Sequence, residues 1–250
     1  MTAGSQRVAL VTGASRGLGA AIAERLGADG FAVAVNYARA EPEARAVVER
    51  IRAAGGSAGA FRADVTDAAE AGELVAAVRA ELGPVHAVVI NATGLQPACP
   101  VADVTWQAYL DQLAFFVKSP TLLVQAVLPD MTAAGAGRVI HVGSDIIDRA
   151  LPGNSAYAAA KGAQLALARV WARELAPAGI TVNTVAPGWV PVERHAGIDA
   201  EERRAYLAAV PLGRMGTPPD VAGAVAFLAS DAGAFVNGAR IPVNGGFTVD

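Results

Sequence analysis

Val8-Ala9-Leu10-Val11-Thr12-Gly13-Ala14-Ser15-Arg16-Gly17-Leu18-Gly19 begins as a short apolar run, breaks into a glycine-spaced turn and opens an Ala-rich segment. The pattern reads as strand, tight turn and helix. Glycines at Gly13, Gly17 and Gly19 let the backbone turn sharply and bring N–H groups close to a ligand, while the N-terminus of the following helix carries partial positive charge. A pyrophosphate suits such a cradle, so a dinucleotide is the expected ligand. The spacing is GxxxGxG and not GxGxxG, and three glycines alone also fit a bare strand-to-helix turn. What favours the dinucleotide is the position of the turn after the first strand of an alternating array.

That array runs outward from the turn. Short β-branched runs at Val8–Val11, Ala32–Val35, Ala58–Phe61 and Ala87–Ile90 alternate with helical segments starting at Gly17, Glu41 and Asp67. Repeated βαβ units with apolar strands predict a parallel sheet covered on both faces and wound by right-handed crossovers. The second half continues with a long helix over Tyr109–Met131, a strand over Val139–Val142, a helix from Asn154 to about Leu175 and a strand over Ile180–Val185. Gly55–Gly56 and Ala133–Gly137 read as loops. The stretch Gly188–Leu212 interrupts the alternation with Trp189, two prolines and a helix-like piece, Ala200–Ala209, and is expected to form a small helical lid at about 188–212. The fold class is therefore α/β, a doubly wound parallel sheet in a single domain over residues 1–250.

Composition narrows the function classes. At 250 residues and 53% hydrophobic content the chain can bury a substantial core. Net charge is −3 and the basic residues are dispersed, so no nucleic-acid footprint is present. No apolar run approaches the roughly 20 residues of a membrane helix. The single cysteine, Cys99, has no intrachain partner and the start of the chain lacks the pattern of a secretion signal, so a cytoplasmic location is expected. His86, His141 and His195 lack metal-site spacing, and no metal is expected. His141 reads as a satisfied core residue, Cys99 as a bystander, and His195 and Arg194 as lid residues that could reach an anionic substrate. Trp189 reads as packing the lid or lining a pocket.

Cofactor selectivity is written after the second strand. A ligand with a free ribose 2′-hydroxyl calls for an acidic side chain there, but this chain has Asn36-Tyr37-Ala38-Arg39. Without a carboxylate to repel a 2′-phosphate, and with Arg39 or Arg16 able to pair with one, NADP(H) is favoured over NAD. Solvated arginines are the plain alternative. Asp64-Val65, after the third strand, are placed to meet an adenine; otherwise Asp64 or Asp67 only caps the next helix.

Tyr157 and Lys161 are four apart on a predicted helix and share a face, with Ser144 thirteen residues before Tyr157 and just past a strand. A phenol is a poor acid, but a neighbouring ammonium stabilises its phenolate. On a carbonyl accepting hydride, Ser144 would hold the oxygen, Tyr157 would deliver the proton and Lys161 would tune Tyr157. YxxxK in isolation is commonly a surface pair; the cradle and the serine spacing argue against that here.

With these residues in hand the chain resembles the short-chain dehydrogenase/reductase family over nearly its whole length: Thr12–Gly19, Asp64-Val65, Asn91-Ala92, Ser144, Tyr157-Ala158-Ala159-Ala160-Lys161, Asn183, Pro187-Gly188 and Asn244-Gly245-Gly246. Within the family it is most similar to bacterial 3-oxoacyl-carrier-protein reductase relatives, for instance at Pro211–Pro218. The resemblance implies a Rossmann-type fold, a catalytic triad of Ser144, Tyr157 and Lys161, and a homotetramer. It implies cofactor binding by Gly13, Ser15, Arg16, Gly17, Leu18, Gly19, Asn36, Tyr37, Arg39, Asp64, Val65, Asn91, Ala92, Thr93, Tyr157, Lys161, Pro187, Gly188 and Val190. Three departures stand out. The family's helical asparagine, which positions a water beside the lysine, aligns with Phe116, and a phenyl ring cannot hydrogen-bond that water. Either another group serves, the helix is shifted locally, or turnover is slowed; ordinary core packing is the plain reading of Phe116. A glycine of the family's Asn-Asn-Ala-Gly corresponds to Thr93, and a threonine that contacts the nicotinamide corresponds to Val192.

The leading expectation is NADPH-dependent reduction of a ketone to an alcohol, with a 3-oxoacyl thioester or polyketide-like carbonyl among the candidates and the substrate free, carrier-protein-linked or CoA-linked. The alternatives are an NAD-dependent alcohol or sugar dehydrogenase, and a nucleotide-binding regulator or scaffold with weak catalysis, motivated by Phe116, Thr93 and Val192.

Overall fold

The computed structural model describes residues 6–193 and 199–249. Among them seven parallel strands form one sheet in the order β3-β2-β1-β4-β5-β6-β7: β1 Val8–Val11, β2 Ala32–Tyr37, β3 Ser57–Arg62, β4 Val85–Ile90, β5 Gly137–Val142, β6 Ile180–Pro187 and β7 Arg240–Val243. Strand residues alternate between two cores because successive side chains point to opposite faces. Ala9, Val11, Val33, Val35, Val89 and Ile140 meet helices α1 (Gly17–Ala28), α2 (Glu41–Ala53) and, late in the chain, Pro218–Ala229. Val8, Leu10, Ala34, Val88, Val139 and Val182 meet α3 (Ala68–Glu81), Ser119–Ala134 and Ser155–Leu175. The doubly wound α/β class is therefore observed. Chain direction across the sheet reverses between β1 and β4, the switch point outside whose carboxyl ends ligands bind in such folds.

The expected long helix is broken in the middle. It starts earlier, as α4 (Trp106–Leu113), passes through a π-helical turn at Ala114–Lys118, and continues as α5 (Ser119–Ala134). Pro120 explains the break: it has no N–H for the carbonyl four residues back, that of Phe116, so the turn widens and Ser119 N–H donates to Ala114 O. Of the expected loop at Ala133–Gly137, only the middle is loop; α5 reaches Ala134, Gly135 takes φ 60° as its C-terminal cap, and Gly137 already belongs to β5. Asp67 caps α3 through Ala69 N and Glu70 N. A short α6 (Ile146–Arg149) precedes α7 (Ser155–Leu175), while α8 (Ala200–Ala209) matches the lid helix and α9 (Pro218–Ala229) completes one face. The part of the lid holding Arg194 and His195 lies outside the described residues. No helix among them is long and apolar enough to cross a membrane.

Candidate active site

One cleft of about 730 Å³ runs along the carboxyl ends of β1, β2, β4, β5 and β6. At one end it is lined by Gly13, Ser15, Arg16, Gly17, Leu18 and Gly19, with Asn36, Tyr37, Arg39, Asp64 and Val65 beside them. Asn91, Ala92 and Thr93 follow, and then Ser144, Tyr157, Lys161, Pro187, Gly188, Val190 and Val192. Every residue that the sequence proposed for cofactor or catalysis thus lines this single cleft.

The cradle is built for close approach. Gly13 and Gly17 have φ of 60° and 58°, and a Cβ on Gly13 would lie 2.9 Å from Ala92 Cα. Gly19 is tighter: a Cβ there would lie 2.4 Å from Gly13 O and 2.6 Å from Asn91 Nδ2. Asn91 ties the loops together through Thr12 O and Gly13 O, and Thr12 Oγ1 accepts from Asn91 N and Ala92 N. Asn36 is buried and serves the scaffold: its side-chain oxygen accepts from Gly13 N and its amide donates to Phe61 O and Ala63 O. Asp64 accepts from Thr66 N and Thr66 Oγ1, bonds that hold its carboxyl below the usual range. Arg16 and Arg39 are exposed at this end. The glycine geometry and the α1 N-terminus fit a nicotinamide dinucleotide.

At the other end Ser144 Oγ accepts from Ile146 N at 3.1 Å, which leaves its own proton directed by whatever oxygen enters the cleft. Lys161 is buried; its Nζ donates to Val142 O at 2.7 Å and to Gln164 Oε1 at 3.1 Å. Its ammonium lies 3.8 Å from the centre of the Phe116 ring, and that ring packs edge-on against Tyr157 with centroids 5.6 Å apart. A desolvated cation over an aromatic face is stabilised by about 2 kcal/mol. Phe116 is therefore more than core filling: the π turn presents its ring to the lysine. At this position the backbone of the chain makes the π turn Ala114–Lys118, with Phe116 inside it. Gln164 escaped the sequence reading, although its i+3 spacing from Lys161 placed it on the same helix face.

Two other buried groups stand beside the site, and the first departs from expectation. His141 is a core residue, but it is not satisfied: both ring nitrogens lack a hydrogen-bond partner, and burial, with Lys161 nearby, pushes it down to about 3, so the ring is neutral. The reason is its place on β5 against the Trp171 ring, 5.8 Å away, where no acceptor approaches. Asp145, next to Ser144, is 2% exposed, and burial pushes its carboxyl up to about 6 despite Arg149. A carboxyl raised in the folded state binds a proton that the unfolded chain has lost, so stability contributed by this group is present below about pH 4 and disappears as pH rises through 6. At two pKa units the effect is on the order of 3 kcal/mol. Asp145→Asn is expected to flatten the fall in stability between pH 4 and 7 measured by urea unfolding; an unchanged slope would place the raised group elsewhere. Among the described residues no group of three or more His, Cys, Asp or Glu side chains is arranged to hold a metal.

Comparison with known proteins agrees with this geometry. Residues 13–248 match the family model described as enoyl-(acyl carrier protein) reductase. An uncharacterized oxidoreductase of Methylorubrum extorquens is 43% identical over 243 residues, 96% of this chain and 97% of that protein. The 3-oxoacyl-(acyl-carrier-protein) reductase of Staphylococcus aureus is 38% identical over 238 residues, 95% of this chain and 96% of that one. Among solved structures, a blue fluorescent protein from a metagenomic library in complex with NADPH superposes with a TM-score of 0.89 at 39% identity, covering 97% of this chain and 98% of that one.

Proposed function

Because the chain belongs to the short-chain dehydrogenase/reductase family and is an oxidoreductase of that kind, we propose that it reduces a ketone to an alcohol using NADPH. The observation that carries this reading is the single cleft in which the glycine cradle and Ser144, Tyr157 and Lys161 lie in line. NADPH supplies the hydride when bound. The residues of the chain do the rest: Gly13, Gly17 and the α1 N-terminus would hold the pyrophosphate, and Arg39 and Arg16 would pair with the 2′-phosphate. Ser144 keeps its proton and donates a hydrogen bond to the carbonyl oxygen. Tyr157 gives that oxygen the proton that completes the alcohol, and the positive charge of Lys161, fixed by Val142 O, Gln164 and Phe116, stabilises the oxygen of Tyr157 once the proton has left. Trp189 and α8 cover the substrate end as a lid, with Tyr206 Oη accepting from Trp189 N.

The substrate is a small-molecule carbonyl, with 3-oxoacyl thioesters on a carrier protein or CoA among the candidates by similarity to the S. aureus reductase. The assembly is a homotetramer, which sedimentation would report; Val170 on α7, Phe227 on α9 and Phe235 leave apolar side chains exposed that contacts between copies would cover. The test is a panel of ketones and 3-oxoacyl thioesters assayed with both nicotinamide nucleotides. NADPH is expected to exceed NADH in kcat/KM by roughly tenfold or more, the worth of one charge-assisted pair with a phosphate. A strong preference for NADH would instead mark an NAD-dependent dehydrogenase and remove the role given to Arg39.

A further inference from the structure

Arg149 ends α6, the short helix that follows Ser144, and lines the cleft together with Ser144, Tyr157 and Trp189. Its Cζ lies 5.2 Å from the centre of the Tyr206 ring and 4.9 Å from that of Phe247, and these two rings stack on each other 5.0 Å apart. Aromatic rings hold a cation in place without accepting its hydrogen bonds in the way an oxygen would. The guanidinium makes no hydrogen bond to any described residue, and its Nε is buried without a partner. The nearest carboxylate, Asp145, stands 3.8 Å from Nη1, beyond hydrogen-bond reach, and its own Oδ2 is also buried without a partner. Asp148 on the same helix turns away to Arg240.

A guanidinium offers five N–H donors in a planar fork whose shape matches a carboxylate, and leaving such donors unpaired in a protein interior is costly. Here the fork is preoriented by two rings in the wall of a cleft whose chemistry acts on a carbonyl. The geometry points to Arg149 as the seat of a carboxylate carried by the substrate, so that the substrate class is an oxo acid, its ketone oxygen at Ser144 and Tyr157 and its carboxylate on Arg149. This rests on the reductase reading above. Asp145 orients the guanidinium from one side, 3.8 Å from Nη1, and leaves the rest of the fork open to a ligand. A 3-oxoacyl thioester carries no charge near its reacting carbon and would leave the fork unmatched.

The test uses matched pairs: 2-oxopentanoate, 3-oxobutanoate and 4-oxopentanoate against their methyl esters, with the N-acetylcysteamine thioester of 3-oxobutanoate as a third arm. The intact enzyme is expected to favour at least one acid over its ester by roughly tenfold or more in kcat/KM, and Arg149→Met to lower kcat/KM for that acid by about 10- to 100-fold through KM while changing its ester by less than about threefold. Arg149→Lys, which keeps the charge but not the fork, should fall between and serves if the methionine variant does not fold; NADPH binding by fluorescence checks folding in both. Preference for the ester or thioester, or equal losses on acid and ester, would overturn the inference and leave Arg149 a brace between α6, α8 and the Phe247 segment. If no member is turned over, the reductase reading fails separately, and calorimetry of the acids with the NADPH complex decides this one: Arg149-dependent binding of an acid supports it, and its absence overturns it.

Discussion

Replacing Tyr157 by phenylalanine is expected to lower kcat for ketone reduction by about three orders of magnitude, the worth of a positioned general acid. The substitution removes one oxygen and little else. The ring remains to pack against Phe116, 5.6 Å away, and Lys161 keeps its bonds to Val142 O and Gln164. Affinity for NADPH should therefore change by less than about threefold, and the loss should fall on kcat and not on KM. Steady-state kinetics beside a fluorescence titration of the nucleotide separates the two. A Tyr157→Phe protein that reduces ketones at near the parental rate would move proton donation to another group. A parental protein that binds NADPH but turns over nothing on a broad panel would make this chain a nucleotide-binding regulator built on an enzyme's fold.

Gly19→Ala should be the most damaging addition of one carbon atom within the cradle. In an ordinary helix alanine is favoured over glycine by about 1 kcal/mol, but the new Cβ would stand 2.4 Å from Gly13 O and 2.9 Å from Ala14 Cα, both backbone atoms of the cradle. Relief requires moving the cradle itself. The expected cost is about 3 kcal/mol, a fall in Tm of roughly 6–12 °C for a chain of this size, with loss of nucleotide binding. Gly72→Ala is the control: Gly72 also lies in a helix, α3, nothing stands within 4 Å of its Cβ position, and its substitution should be neutral or stabilising. Differential scanning calorimetry with and without NADPH reads both variants. Similar behaviour of the two would mean that the cradle is softer than its contacts indicate.

Much of this was legible in the chain because it is local. The turn after β1, the alternation of strands and helices, and the spacing of Ser144, Tyr157 and Lys161 depend on neighbours a few residues apart. β7 escaped because it is only four residues long, contains Pro242 and carries no buried run; a proline is tolerated there since the strand lies at the sheet edge. The π turn had a signal, a proline four residues after Phe116, which identity alone did not reveal as a helix fault. Nothing local could announce Arg149, because Tyr206 and Phe247 reach it from segments far along the chain. The missing hydrogen bonds of His141 were equally hidden, since satisfaction is a property of surroundings and not of residue type.

The π turn also has a consequence of phase. In an α-helix each residue advances by about 100°, so one additional residue in a turn rotates everything before it by that angle relative to everything after it. Beyond the turn, Leu123, Val127 and Met131 face the sheet; before it, Tyr109 Oη donates to Ser155 Oγ at 3.0 Å and Gln112 Nε2 to Leu95 O at 2.7 Å, at the rim of the cleft. Deleting one residue from Ala114–Lys118 would restore regular winding and swing Tyr109 and Gln112 away from both partners. The offset lets one continuous rod address two surfaces that no single helical stripe could reach, and Pro120 keeps it.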